Sequence, residues 1–457
     1  MAPRIFSTLP DSLNAQTSKA YFALLCKKNG MNVLILGSGG REHTLAWKIA
    51  QSPEVQKIFI APGNAGTGLM WTNVPIGIND FEGIRRFVLQ ESIQMVIVGP
   101  EEPLVNGIYD FFINDSSISH ISVIGPSKLG AQLEGSKDFA KAFMRRHNIP
   151  TAAYRSFTRT EIEAARLFLL KIKPPYVLKA DGLAAGKGVI ICNTIAEAEK
   201  ELEEMLVNAR FGKASEKVII EEFLHGTEVS VFVLTDGKNW KLLPEAKDYK
   251  RIGDGDTGPN TGGMGSVSPV PFADEPFMQK VVDRIISPTV NGLRLENIDY
   301  KGFIFAGLMN VGGDPYVIEY NVRLGDPETE SVIPRIKSDL VPLLKSLGCG
   351  TLKDQTIETD SRPAATIMLV SAGYPGDYPK GLEIYELEKV DESIIFHAGT
   401  ALNEKGDRII TAGGRVLAIT SLASTTAEAI EKSYRSAAIV DYLGKTYRRD
   451  IDRKSVV

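Results

Sequence analysis

From Met31 onward the chain repeats one pattern: a short apolar run, a turn rich in glycine or proline, and a helical stretch. The runs are VLILG at 33–37, KIFIA at 57–61, MVIVG at 95–99 and ISVIG at 121–125. Apolar runs with little polar alternation suit strands buried on both faces, and strands that alternate with helices call for crossover connections. The pattern predicts an α/β fold opening on a doubly wound parallel sheet. Such sheets bind ligands beyond the carboxyl ends of their strands. GSGGREH (37–43), PGNAGT (62–67) and GPEEPL (99–104) fall there and are expected to line one crevice.

At 457 residues the chain has room for two to four domains. Its character changes near Leu133. LEGSKDFAKAFMRRHNIP reads as one helix ended by Pro150, followed by a helical stretch and paired strands with glycine turns, typical of α+β. A β-rich block begins after Leu347. The expected divisions are a leader at 1–30, an α/β substrate-binding domain at 31–132, a central domain at 133–346 with a flap at about 150–224, and a C-terminal domain at 347–457. The leader holds Arg4, several Ser and Thr, and Asp11 as its only acid. That composition is weakly like a transit peptide but lacks an apolar stretch. It reads as a disordered leader or a start assigned too far upstream, with an organellar address as the alternative.

A net charge of −4 gives no basic balance for nucleic acid or anionic membrane. No apolar run reaches the length of a membrane span. Three cysteines (Cys26, Cys192, Cys349) with no C-x-x-C pair argue against a disulfide framework or structural zinc, and for the cytoplasm.

YVLKADGLAAGKGVIIC (176–192) is the strongest local signal. A strand ends near Lys179, a glycine loop follows, and a second strand comes straight after. Glycines let backbone N–H groups approach phosphate oxygens, and Lys179 and Lys187 can supply charge. The Walker spacing fails, because Gly188 follows Lys187 and a strand rather than a helix comes next. The segment therefore reads as a hairpin tip able to close over a nucleotide, or equally as a mobile hairpin with surface lysines. Against the second reading, Lys179 sits among apolar neighbours where an unpaired ammonium is costly.

KVIIEEFLHGTEVSVFVL (217–234) reads as two strands joined near Gly226, with Glu228 and Ser230 on one face. Its functional reading gives adenine the backbone at Glu221–Leu224 and ribose the Glu228 carboxylate. Its plain reading is a hairpin with an acidic edge. In YVIEYNVR (316–323), strict alternation puts Val317, Glu319, Asn321 and Arg323 on one face. A carboxylate and an amide oxygen two residues apart suit Mg²⁺, and Arg323 could grip a phosphate or carboxylate. A half-buried strand with a wet polar face fits as well. DGDTGPNTGGMG (254–265) is either a ligand-cradling loop or disordered. GSGGREH fails the dinucleotide fingerprint, because Glu42 stands where its third glycine belongs. A helix N-terminus behind glycines still suits a phosphomonoester better than NAD.

Taken in order, GSGGREH, PGNAGT, GPEEPLVNGI, LEGSKDFAK, KADGLAAGKG, DGDTGPNTGGMG, EYNVRLGDPE, AGYPG, FHAGT and YRRDI resemble the phosphoribosylamine–glycine ligase family of ATP-grasp enzymes. The resemblance runs from about Met31 to the end. It implies ATP held between two α+β subdomains under the glycine flap. It also implies ligation of glycine to 5-phosphoribosylamine through glycyl phosphate, a step of purine synthesis. The roles it implies place Glu319 and Asn321 on Mg²⁺ or Mn²⁺. Lys137, Lys179 and the flap residues Gly186, Lys187 and Gly188 fall to the ATP phosphates. Glu221, Glu222 and Leu224 fall to adenine, and Glu228 to ribose. Arg323, Gly325, Asp326 and Pro327 would hold glycine or its acyl phosphate, with Arg323, Asp326 and Lys179 taking part in catalysis. Gly37, Gly39, Gly40 and Asn64 would face the 5-phosphate. The implied partners are small molecules, with the chain a monomer or weak homo-oligomer. Lys247, Tyr249 and Leu324 depart from residues common in the family, and are expected beside the site. Rival readings are another ATP-grasp carboxylase-type enzyme, an NAD-dependent oxidoreductase, and a catalytically inactive ATP-binding regulator.

Overall fold

The structure, a computed structural model, describes residues 30–183 and 188–452. The expected leader, apart from Gly30, and the flap residues Gly186 and Lys187 lie outside them.

The apolar runs form the predicted parallel sheet. Its strands are β1 (Met31–Gly37), β2 (Val55–Pro62), β3 (Thr72–Asn73), β4 (Ile93–Val98) and β5 (Ser122–Pro126), ordered β5-β4-β1-β2-β3. Both faces are buried. Leu34, Leu36, Val96 and Val98 join one core with Ile84 and Val88 of the helix Phe81–Gln90. Val33, Ile35, Met95 and Ile97 join the other, with Leu45 and Ile49 of the helix Gly40–Ile49. Successive strands leave β1 on one side for β2 and on the other for β4, so the ligand crevice of such a sheet opens between β1 and β4.

The single helix expected after Leu133 is broken. Gln132–Gly135 forms one turn, and Ser136 then starts a new helix, Lys137–Arg146, its hydroxyl accepting from Phe139 N–H at 3.1 Å. Serine satisfies an orphan donor there better than it extends a helix. The flap follows as a four-stranded antiparallel sheet, ordered β6-β9-β7-β8: β6 (Tyr154–Thr158), β7 (Tyr176–Ala180), β8 (Val189–Cys192) and β9 (Lys217–Glu222). The helices Ile162–Leu169 and Ile195–Leu206 cover one face, burying Phe157, Leu178, Leu202 and Ile220 in a core of their own.

The strands read at 217–234 exist but do not pair with each other. β9 belongs to the flap, whereas β10 (Thr227–Thr235) pairs with β11 (Trp240–Leu242) and β16 (Tyr300–Val311). The link between the sheets runs so close to β16 that a Cβ on Gly226 would lie 2.1 Å from the Asn310 carbonyl oxygen. β16 also pairs with β5 and with β17 (Asp314–Asn321), which makes one nine-stranded sheet of the N-terminal and central segments.

Between β11 and β16 lie β12 (Lys247–Asp248), β13 (Arg251–Gly253), β14 (Thr257–Asn260) and β15 (Gly265–Ser268). The first part of the glycine-rich stretch, 254–260, is thus the turn at Gly255 and second strand of a β13–β14 ribbon, and Gly265 opens β15. The C-terminal strands are β18 (Ala364–Val370), β19 (Ile394–His397), β20 (Thr400–Leu402), β21 (Ile409–Thr411) and β22 (Arg415–Leu422). Their main sheet runs β12-β15-β18-β22-β19, so two strands of the middle segment complete it. Leu347 therefore lies beyond residues that already belong to the C-terminal sheet.

Candidate active site

A cavity of about 610 Å³ opens between the flap, the β10–β16–β17 sheet and the turn after β17. The β17 wall departs from strict alternation. The register slips between Gly307 and Leu308, because Ile318 is bulged out. Val317 consequently packs in the core with Tyr320 and Val322, while Ile318 joins Glu319, Asn321 and Arg323 on the cavity wall. The expected partnership of Val317 with the polar residues is wrong for that reason, although the three polar residues do share the cavity.

One end is apolar, with Met144, Val177, Ile191, Phe223, Leu224 and Met309 around it, and Glu221 and Glu222 beside them. That is the chemistry of a nucleobase slot, with the β9–β10 link at its rim. Behind it lies a buried charge cluster. Lys141 Nζ lies 2.9 Å from Glu221 Oε2, and Lys179 Nζ lies 3.1 Å from Glu221 Oε1. Lys141 also donates to Thr151 Oγ1 at 2.8 Å, and Lys179 to the Ile318 carbonyl at 3.1 Å. Burial pulls the Lys141 ammonium down to about 8 against the pull of Glu221.

Further in, Lys137 donates to the Gly182 carbonyl at 2.9 Å, and burial lowers its ammonium below the ordinary range. Glu319 faces the cations. Burial alone would raise its carboxyl, but Lys250, Lys179, Lys137 and Arg323 together hold it below the usual carboxylate value. Asn321 Nδ2 donates to Glu134 Oε1 at 2.7 Å. That bond commits the amide nitrogen and leaves the amide oxygen as the donor atom toward the cavity. An ionised carboxylate and an oriented amide oxygen fit a hard divalent cation that completes its shell with phosphate oxygens and water. Among the described residues no cluster of three or more His, Cys, Asp or Glu could hold a metal unaided.

The opposite end is built from guanidinium–carboxylate pairs. Arg323 Nη2 lies 2.7 Å from Glu134 Oε1, and Arg323 Nε 3.2 Å from Glu101 Oε2. Arg415 Nη2 lies 3.1 Å from Asp326 Oδ1. Burial would raise Glu101, but Arg323 and Arg41 hold it below its ordinary value. Burial, with Asp248 nearby, pushes the Glu328 carboxyl up to about 7.

Of the residues singled out from sequence, Lys137, Lys179, Gly188, Glu221, Glu222, Leu224, Glu228, Glu319, Asn321, Arg323, Gly325 and Asp326 all line this cavity. Pro327 lies just behind it, its carbonyl accepting from Ser266 Oγ at 2.7 Å. Gly37, Gly39, Gly40 and Asn64 do not line it. The helix N-terminus behind the glycines is already supplied with an anion, since Gly39 N–H donates to Glu42 Oε2 at 2.6 Å. Asn64 accepts from Thr67 N–H at 3.0 Å and donates to the Ser38 and His397 carbonyls at 2.9 and 2.8 Å. Its side chain braces the crevice.

Three segments match family models described as the N, ATP-grasp and C domains of phosphoribosylglycinamide synthetase, over residues 31–134, 135–329 and 364–454. The chain belongs to the phosphoribosylglycinamide synthetase family. A Salmonella typhimurium protein named phosphoribosylamine–glycine ligase is 47% identical over 431 residues, which cover 93% of this chain and 99% of that one. The Thermotoga maritima phosphoribosylamine–glycine ligase structure superposes with a TM-score of 0.79 at 37% identity, covering 92% of this chain and 100% of that chain. A biotin carboxylase domain of Hydrogenobacter thermophilus 2-oxoglutarate carboxylase shares the fold at 16% identity, with a TM-score of 0.68 and coverage of 92% of each chain.

Within this family fold, the departures at Lys247, Tyr249 and Leu324 leave the cavity intact. Tyr249 turns into the C-terminal core, donates to Asp452 at 3.1 Å, and lies under Lys247 and Arg448. Leu324 is buried in the core below. Their neighbours Asp248 and Lys250 face the cavity instead, with Lys250 Nζ 3.0 Å from Glu228 Oε2. Asp248 and Glu228 hold the Lys250 ammonium well above its ordinary value. The period-two pattern of AKDYKR could have revealed both. Glu101, Glu134 and Lys141 were also missed as site residues, although each lies in a segment already singled out or next to Lys137 in the same helix.

Proposed function

We propose that this chain ligates glycine to 5-phosphoribosylamine, with ATP as co-substrate, giving glycinamide ribonucleotide, ADP and phosphate. The observation that carries the reading is the Glu319–Asn321 wall opposed by Lys137 and Lys179 in one cavity, in a chain of this family. The glycine carboxylate attacks the γ-phosphorus of ATP, which forms glycyl phosphate and releases ADP. The amine of phosphoribosylamine then attacks the acyl carbon, expels phosphate and loses a proton. No protein nucleophile is needed, so catalysis rests on positioning and charge neutralisation.

Lys137 and Lys179 balance the nucleotide phosphates, with Gly188 beside them. The strip Glu221–Leu224 offers the nucleobase its backbone, and Glu228 the ribose. Glu319 and Asn321 would hold Mg²⁺ or Mn²⁺, which supplies Lewis acidity at the transferred phosphoryl group. Arg323, Gly325, Asp326 and Pro327 frame the acyl end. Gly37, Gly39, Gly40 and Asn64 are assigned to the 5-phosphate side of phosphoribosylamine, with the Asn64 side chain bracing that crevice. We further assign the divisions 31–132, 133–346 and 347–457 to substrate, ATP-grasp and C-terminal units. The setting is cytoplasmic, with small-molecule partners, no nucleic acid, and a monomer or weak homo-oligomer. No described helix is long and apolar enough to cross a membrane.

The test is ADP release by the purified protein with Mg·ATP, omitting glycine and phosphoribosylamine in turn, the unstable amine being generated in the cuvette. Release that needs both, with glycinamide ribonucleotide formed, is expected. ATP binding without release in the presence of both would overturn the choice of acid and amine.

A further inference from the structure

The turn Leu324–Gly325–Asp326–Pro327 follows the Glu319–Asn321 strand and closes the acyl end of the cavity. Two guanidinium groups, one from the N-terminal segment and one from the C-terminal segment, grip its backbone. Arg41, from the first helix of the N-terminal sheet, donates to the Leu324 carbonyl at 3.1 Å. Arg415, from β22 of the C-terminal sheet, donates to the Asp326 carbonyl at 2.7 Å. The same Arg415 nitrogen donates to the Gly262 carbonyl at 2.6 Å, and its other terminal nitrogen lies 3.1 Å from Asp326 Oδ1. Gly262 N–H donates to Tyr374 Oη at 2.9 Å, a second tie from the C-terminal segment. Both arginines line the cavity.

We propose that Arg415 is a positioning residue for ligation. It joins the Asp326 turn to the Thr261–Gly262 wall, with Arg41 as its counterpart from the N-terminal segment. The inference rests on the ligase reading above. A planar guanidinium can hold two carbonyls and a carboxylate at once, whereas an ammonium is a single compact charge. The segments it joins are pressed together: a Cβ on Gly263 would lie 2.3 Å from Pro327 Cδ, and a Cβ on Gly262 2.9 Å from Arg415 Cζ. Asp326 also faces the N-terminal sheet, its Oδ2 lying 3.2 Å from the place a Cβ on Gly39 would take. Arg415 thereby fixes a carboxylate that stands between the acyl end and the crevice by which the amine approaches. Among the described residues, the hydrogen bonds and ion pairs of the two arginines reach Glu42, Gly262, Leu324 and Asp326 and none of the Glu221–Leu224 strip, so the effect falls on the amine substrate and on turnover, not on ATP.

The experiment compares Arg415→Lys with wild type in steady-state ligation and in calorimetric ATP binding. Wild-type turnover is the reference, and its absence would refute the ligase reading rather than this inference. In an active background, Arg415→Lys is expected to lower kcat/KM for phosphoribosylamine by ~10-fold or more while the ATP Kd stays within about twofold, the scale on which small misplacements act. Arg415→Ala is expected to regain part of its lost turnover when guanidinium is added, a recovery that general loosening would not give. Unchanged kcat/KM, or equal losses in ATP affinity and amine use, would overturn the assignment. Should Arg415→Lys fail to fold, Arg41→Lys carries the same test with the same split expected.

Discussion

Glu134 orients the amide proposed as a metal ligand, taking Asn321 Nδ2 at 2.7 Å and Arg323 Nη2 at 2.7 Å on the same oxygen. Replacing it by alanine frees the amide to rotate. Glu134→Ala is expected to weaken metal affinity by ~10–100-fold, read as a rise in the Mg²⁺ concentration for half activity. An unchanged midpoint would remove Glu134 from the metal site. Glu319→Ala deletes the carboxylate itself and is expected to cost at least ~10²-fold in turnover that excess Mg²⁺ does not restore, while calorimetry still detects nucleotide. At this scale the sequence was legible where chemistry sat in one short segment: Glu319, Asn321 and Arg323 declare themselves in YVIEYNVR. It was silent on Ile318, because a bulge depends on the register against β16 and not on any residue type. It was equally silent on the committed state of Asn64, whose partners Ser38 and His397 are far away along the chain.

Strands and helices were most readable where their neighbours are sequential. The parallel sheet followed from apolar runs alone, and the glycine hairpin of β7 and β8 from its loop. Partner choice was not readable for β9 and β10, since the same period-two pattern fits a hairpin or two separate sheets. The crossing between them needs Gly226. A methyl group there meets the Asn310 carbonyl, which backbone on both sides holds in place. Gly226→Ala is expected to destabilise the protein by ~1–3 kcal/mol. It should also raise the KM for ATP, because the β9–β10 link forms the rim of the proposed nucleobase slot. Wild-type melting together with wild-type ATP affinity would show that the link yields without cost.

Across the whole molecule, the helix Gly40–Ile49 of the N-terminal segment and the C-terminal sheet are joined by a pair of buried histidines. His397 N–H donates to His43 Nδ1 at 2.9 Å, and His397 Nδ1 lies 3.0 Å from Thr400 Oγ1. Burial pushes His397 down to about 4 and holds His43 well below its ordinary value, with His397 adding to the latter. An unfolded imidazole titrates near ~6.5. Between that value and about 4 the unfolded chain takes up a proton that the folded His397 refuses, so stability present at neutral pH is lost as pH falls through this window. The loss from His397 amounts to about 3 kcal/mol. A denaturation midpoint followed from pH 7 to pH 4 should fall more steeply for wild type than for His397→Gln; parallel curves would count against the pair. Nothing in FHAGT or GSGGREH alone pointed to this contact, which exists only once the ends of the chain have met. The sharing of strands across the molecule has a further consequence, one of timing. β15, with β12 on one side, leaves the ribosome well before β18, the neighbour on its other side, and until that strand arrives its edge stands open. A nascent chain can therefore finish its first sheet early, but the wall at Asp248 and Gly262 waits for the last quarter of the message, so a prematurely terminated product is denied a finished cavity rather than merely shortened.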